Sequence, residues 1–150
     1  MKTNVEISAE TTASAEVLWD LISDISLPAQ FSREFKGAEW ITPAALGSQF
    51  AGHNAVGEFT WSTTSTVTGY TPNEVFEWTV EDVNEPVAIW GFRVVRGDVS
   101  TLTMYATIGD SFRERRYPTD AALAERMAMW EVNMRDTVDG IVALAEAAHS

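Results

Sequence analysis

Hydrophobic residues recur along this chain in two periods, and the changes between them divide it into elements. Residues 3–10 alternate, with Val5 and Ile7 apolar, and predict a first strand. From 14 to 25 the spacing lengthens, and Val17, Leu18, Leu21, Ile22 and Ile25 form a helical stripe with Ser14 as its N-cap. Val17 rather than Glu holds the capping-box position, so only half of that signature is present. Pro28 predicts the end of this helix, and a short second helix is expected over 29–34.

From 37 to 109 the period shortens again. Strand-like runs cover 37–41, 48–56, 58–70, 74–82, 87–96 and 100–109, separated by turn signals such as Gly57, Pro72–Asn73 and Gly97–Asp98. Such short spacers predict antiparallel hairpins in a meander. An Arg-rich connection, SFRERRYP, leads to a long helix over 119–148, capped by Thr119 or Asp120. Leu123, Met127, Trp130, Met134, Val138, Ile141 and Ala145 make its apolar stripe, while Gly140 weakens its last turns. Strands followed by a helix predict an α+β domain in which a curved antiparallel sheet of about seven strands buries its concave face against the helix.

One strand breaks its own pattern. In 58–70 the face bearing Phe59, Trp61 and Val67 also carries Thr63 and Ser65, so hydroxyls interrupt what should be the dry side. Threonine is common in strands and hydroxyls pair across them, so this departure alone admits an ordinary structural explanation.

Composition narrows the picture. The chain has 150 residues, enough for one domain with a substantial core, and its 45 % hydrophobic and 21 % charged content is that of a globular protein. No run of about 18 apolar residues is present, and the N-terminal segment lacks a signal-peptide core, so a cytoplasmic protein without membrane insertion is expected. A net charge of −12 repels phosphate backbones, and no nucleic-acid partner is expected. Without cysteine there is no disulfide or thiolate chemistry. Two distant histidines, His53 and His149, give no zinc motif, and no GxGxxG, P-loop or GxSxG sequence occurs. Neither metal nor cofactor is expected.

In order, the opening strand with AEVLWDLISDI, then LGSQFAGHN, WSTTSTVTGYTPNEVFEW, AIWGFRV, STLTMY and ERMAMWEVNMRDTVDGIVALAE resemble the START-like (SRPBCC) superfamily. They are similar in particular to bacterial members of the polyketide cyclase/dehydratase kind. The resemblance covers nearly the whole chain. It implies one helix-grip domain over 1–150, with a deep cavity between sheet and C-terminal helix.

Under that fold the hydroxyls acquire a role. Thr63 and Ser65 would line a partly polar pocket with Asn54 and Trp61. Trp78, Trp90, Phe92 and Met104 from later strands, with Met127, Trp130 and Met134 from the helix, would complete an aromatic and methionine-rich ligand site. Glu131, four residues after Met127 and three before Met134, falls on or beside the apolar stripe and is the candidate catalytic acid or base. The alternative places it at the stripe edge, paired with Arg135 or a strand arginine. Parity turns His53, Arg93 and Tyr105 to the convex face, and Arg113, Arg115 and Arg116 either rim the cavity or form a solvated loop.

The resemblance implies binding of a small hydrophobic molecule, polycyclic or polyketide-like, with cyclisation or dehydration as the candidate chemistry. Two other functions stay open: a non-catalytic carrier or sensor of an apolar metabolite, and an interaction protein resembling the chaperone-activating branch. Neither a monomer nor a homodimer is demanded by the chain.

Overall fold

The computed structural model describes residues 2–148, so His149 lies outside the described residues. Seven antiparallel strands form one sheet: β1 (Asn4–Thr11), β2 (Phe35–Trp40), β3 (Gln49–Val56), β4 (Phe59–Thr71), β5 (Val75–Val80), β6 (Ala88–Val95) and β7 (Ser100–Ile108). They lie in the order β1-β7-β6-β5-β4-β3-β2. The meander from β2 to β7 is the predicted one, and β1 closes onto β7 with Val5 opposite Ala106 and Ile7 opposite Met104.

The helices are α1 (Ala15–Ile22), α2 (Asp110–Arg116) and α3 (Asp120–Ala148). Ser14 caps α1 by accepting from the Val17 N–H at 3.2 Å, and Thr119 accepts from the Ala122 N–H at 3.2 Å before α3. Three local expectations change. Helix α1 stops at Ile22 because the Ser23 hydroxyl turns back to the Trp19 carbonyl at 2.6 Å, which frees Ile25 from the helix. The second short helix is a 3₁₀ turn over Leu27–Gln30, with Pro28 inside its first turn, where no amide donor is needed. The Arg-rich connection is not a loop but α2.

Helix α3 packs along β1 and against α1. Its predicted stripe is buried throughout, and Val138, Ile141 and Ala145 are completely inaccessible beside Leu18 of α1. Gly140 has a steric reason: a Cβ there would come within 2.3 Å of the Phe31 ring. The helix gives up propensity at this point so that the 3₁₀ segment can lie against it.

Candidate functional site

The two ends of α3 meet different surroundings. Toward its N-terminus the helix stands away from the sheet, and a cavity of about 750 Å³ lies between them. The concave face of β3 to β7 makes one wall, α3 makes the other, and α2 with the segment around 22–35 closes the sides. Val56 and Phe59, at the β3–β4 turn, and Met129 on α3 both line the space and are exposed outside, so they mark its mouth.

Strand register explains the misplaced hydroxyls. Pairing Phe50 with Ser65, Gly52 with Thr63 and Asn54 with Trp61 sets the two strands' inward residues side by side. Asn54, Trp61, Thr63 and Ser65 all line the cavity. The polar interruption in β4 is therefore a patch on the cavity wall, facing space that a dry core would have filled. Around it the wall is aromatic. The Trp78 ring lies 5.7 Å from Phe76 and 6.0 Å from Phe92, and Trp90 lies 4.6 Å from Trp130 across to the helix. Interlocked rings of this kind hold a cavity open because none can move without its neighbours.

Trp78, Trp90, Phe92 and Met104 reach the wall from the later strands, and Trp130 and Met134 from α3. Two expected residues do not. Met127 is packed in the core; it shares Met134's side of the helix but lies about 10 Å along the axis, where no open space adjoins it. Glu131 is not on the wall. It sits at the outer edge of the apolar stripe, paired with Lys2, and 45 % of its side chain is exposed. A carboxylate one notch off the stripe finds an ammonium and water there, and has no need of the interior. Nor does Arg135 pair with it, since that guanidinium is held by the Ser8 carbonyl and Asp139.

Asp24 and Glu125 on the cavity wall are exposed, and the shielded carboxylate there is Glu34, between the 3₁₀ turn and β2. Nη1 of Arg126, also on the wall, stands 2.7 Å from its Oε1, and only 12 % and 17 % of the two side chains are exposed. Sequence reasoning missed both. Arg126 was reachable, being four residues before Trp130 on the same helical face. Glu34 was not, because its position depends on how the 3₁₀ segment folds onto α3. That docking is fixed by Asn133, whose Oδ1 accepts from the Arg33 N–H at 3.0 Å, and by the Phe31–Gly140 contact.

Most of the other polar and aromatic side chains with possible chemistry lie elsewhere. His53 is on the convex face between Ser62 and Glu39, each at 2.7 Å. Tyr105 crosses Gly91 on the same face, donates to Glu77 at 3.0 Å and carries Arg93 over its ring. Burial, reinforced by the hydrogen bond to Glu77, pushes its ionisation above the ordinary tyrosine range. Tyr70 is turned inward by a bulge between Val67 and Gly69 and packs on Trp19 and Phe76. Of the arginine cluster, Arg116 lines the cavity, with its guanidinium over Tyr117. Among the described residues no group of three or more His, Cys, Asp or Glu could hold a metal ion. Among the described residues no helix is long and apolar enough to cross a membrane.

Comparison with known proteins agrees with this architecture. A family model described as polyketide cyclase/dehydrase and lipid transport matches residues 2–146. No curated protein matches in sequence. Among solved structures, a polyketide-cyclase-like protein of Corynebacterium glutamicum is 22% identical, with a TM-score of 0.70 over 99% of this chain and 95% of its own. An aromatase/cyclase of a Streptomyces species is 14% identical, with a TM-score of 0.75 over 98% of this chain and 95% of that one. A Thermus thermophilus protein superposes with a TM-score of 0.72 at 9% identity, covering 98% and 99% of the two chains. At these identities the likeness is one of fold.

Proposed function

The chain belongs to the polyketide cyclase/dehydrase and lipid transport family, and from that premise we propose that it binds a small hydrophobic, polycyclic or polyketide-like molecule in the cavity and promotes its cyclisation and dehydration. One observation carries the reading: a cavity of about 750 Å³, walled by rings and methionines, carries polar groups on β3–β4, on the facing helix and at Glu34 beside it. A ligand's apolar body is taken up by the rings, and its oxygens are oriented by the few polar groups.

Holding a flexible carbonyl-rich chain in one folded pose removes much of the entropic barrier to ring closure. Glu34 supplies the proton transfer that Glu131 cannot reach. Its carboxylate takes a proton from a methylene between two carbonyls, and the resulting enolate carbon bonds to a second carbonyl carbon brought near it. The new alkoxide receives a proton to become a hydroxyl. Loss of that hydroxyl with a neighbouring C–H proton, as water, leaves a C=C bond.

A thermal-shift and native mass-spectrometry screen against polycyclic aromatics, polyketides and fatty acids tests this, with wild type and Glu34→Gln compared. The expected result is a ligand that stabilises both proteins and is chemically altered by wild type alone. A ligand bound by both and altered by neither would make the protein a carrier or sensor. No binding to either would overturn the proposal.

A further inference from the structure

Arg126 is an unusual residue for this wall. Its side chain is 83 % shielded, since 17 % is exposed, and it makes no hydrogen bond to any described residue. The approach of Nη1 to Glu34 Oε1 is not directed along an N–H, and Oε1 remains buried without a hydrogen-bond donor. A matched Arg–carboxylate pair uses two parallel N–H···O bonds, and this pair uses neither. Glu34 thus balances the charge of Arg126 while leaving the planar fork uncommitted. One helical turn further along the same wall, Trp130 carries a buried indole N–H that also lacks an acceptor among the described residues. A shielded N–H without an acceptor is costly, and one on an open cavity wall, a helical turn from a guanidinium whose fork is not filled by its carboxylate, marks a place for oxygen atoms from outside the chain.

We infer that Arg126 is the docking point for a planar two-oxygen anion, a carboxylate or the enolate of a 1,3-dicarbonyl, carried by the apolar molecule whose body fills the cavity. The inference rests on the apolar-ligand reading above and adds the chemical class of the ligand's polar end. Guanidinium suits such a group because its N–H pairs match two coplanar oxygens, a geometry that the ammonium of lysine cannot reproduce. Glu34 lies close enough to oppose the incoming charge, so it sets a limit on anion affinity. Proton transfer from a 1,3-dicarbonyl to Glu34 would remove that opposition and leave the enolate facing the arginine.

Calorimetric titration with three naphthalene probes tests it: naphthoate, the ionised diketone naphthoyltrifluoroacetone, and the neutral ketone acetonaphthone. Wild type is expected to bind all three, with at least one anion tighter than the ketone. Arg126→Gln should weaken the anions on the order of 10- to 100-fold and leave acetonaphthone within about twofold. Arg126→Lys should fall between, since it keeps charge and loses the fork, and Glu34→Gln should strengthen anion binding. Response of naphthoate alone, or of the diketone alone, identifies which source of the anion the site takes. Unchanged acetonaphthone binding shows that a variant is folded. Equal effects of Arg126→Gln on ketone and anions, or none on either, would overturn the inference while leaving the apolar cavity intact. Failure of all three probes to bind wild type would overturn both.

Discussion

The two halves of α3 carry one continuous stripe and serve opposite purposes. Val138, Ile141 and Ala145 lie under β1 and α1 with no accessible surface. Trp130 and Met134, on the same stripe, face a cavity, with Arg126 and Asn133 beside them. Periodicity reports only that a helix face is turned away from water. Whether that face meets another wall or an open space is set by sheet curvature, and the clue lies in the partner strand. Opposite the closed half, β1 and β7 offer Val5, Ala106 and Leu102. Opposite the open half, β3 and β4 offer Asn54, Thr63 and Ser65.

Breaking the closed half should have the largest effect. Ile141→Ala trims a four-carbon side chain to a single carbon at a fully buried site and should cost about 2–5 kcal/mol, seen as a lower midpoint in chemical denaturation. Thr63→Val, on the open half, should change stability by less than about 1 kcal/mol and act on ligand affinity instead. Next is Gly140→Ala. In an exposed helix this would gain about 1 kcal/mol, but the Phe31 ring occupies the space, so a loss of about 1–3 kcal/mol is expected. Pairing it with Phe31→Ala should make the two effects markedly non-additive.

Smaller effects sharpen the comparison at the surface. Glu131→Gln removes an exposed pair with Lys2, should alter stability by at most about 1 kcal/mol, and should leave ligand binding unchanged; a large loss of binding would return Glu131 to the site. Tyr105 gives the smallest and most pH-specific effect. Its folded pKa is raised above the ordinary value of 10.0, so the fold holds this proton more tightly than the unfolded chain does. Its contribution is fully present below the unfolded value and is lost as pH rises beyond it. Alkaline denaturation should therefore become shallower in Tyr105→Phe.

Much of this was legible in the chain. The seven strands, their meander and the buried stripe of α3 follow from alternation, turn residues and helical spacing, which act locally. The hydroxyl patch was visible as a fault in the alternation of β4. Glu131 has two readings in sequence, cavity acid or stripe-edge ion pair, because its angular position lies at the boundary of the stripe, where a small rotation decides between cavity and solvent. Glu34 had no local signal at all: an acidic residue beside Phe35 looks like any loop carboxylate until Asn133 and Gly140 fix the segment above it. The Arg-rich stretch admits either a cavity rim or a solvated loop in sequence, because charge hides the helical turns of α2 that bring Arg116 to the wall.

The most direct test of the open-half account is methyl NMR on protein carrying ¹³C-labelled methionine, titrated with acetonaphthone. Met104, Met129 and Met134 line the cavity, while Met127 is packed in the core two turns from Met134 on the same helix. Ring-current shifts are expected at the first three, with little change at Met127. Saturable binding that moves Met127 and leaves Met104 and Met134 still would contradict the account.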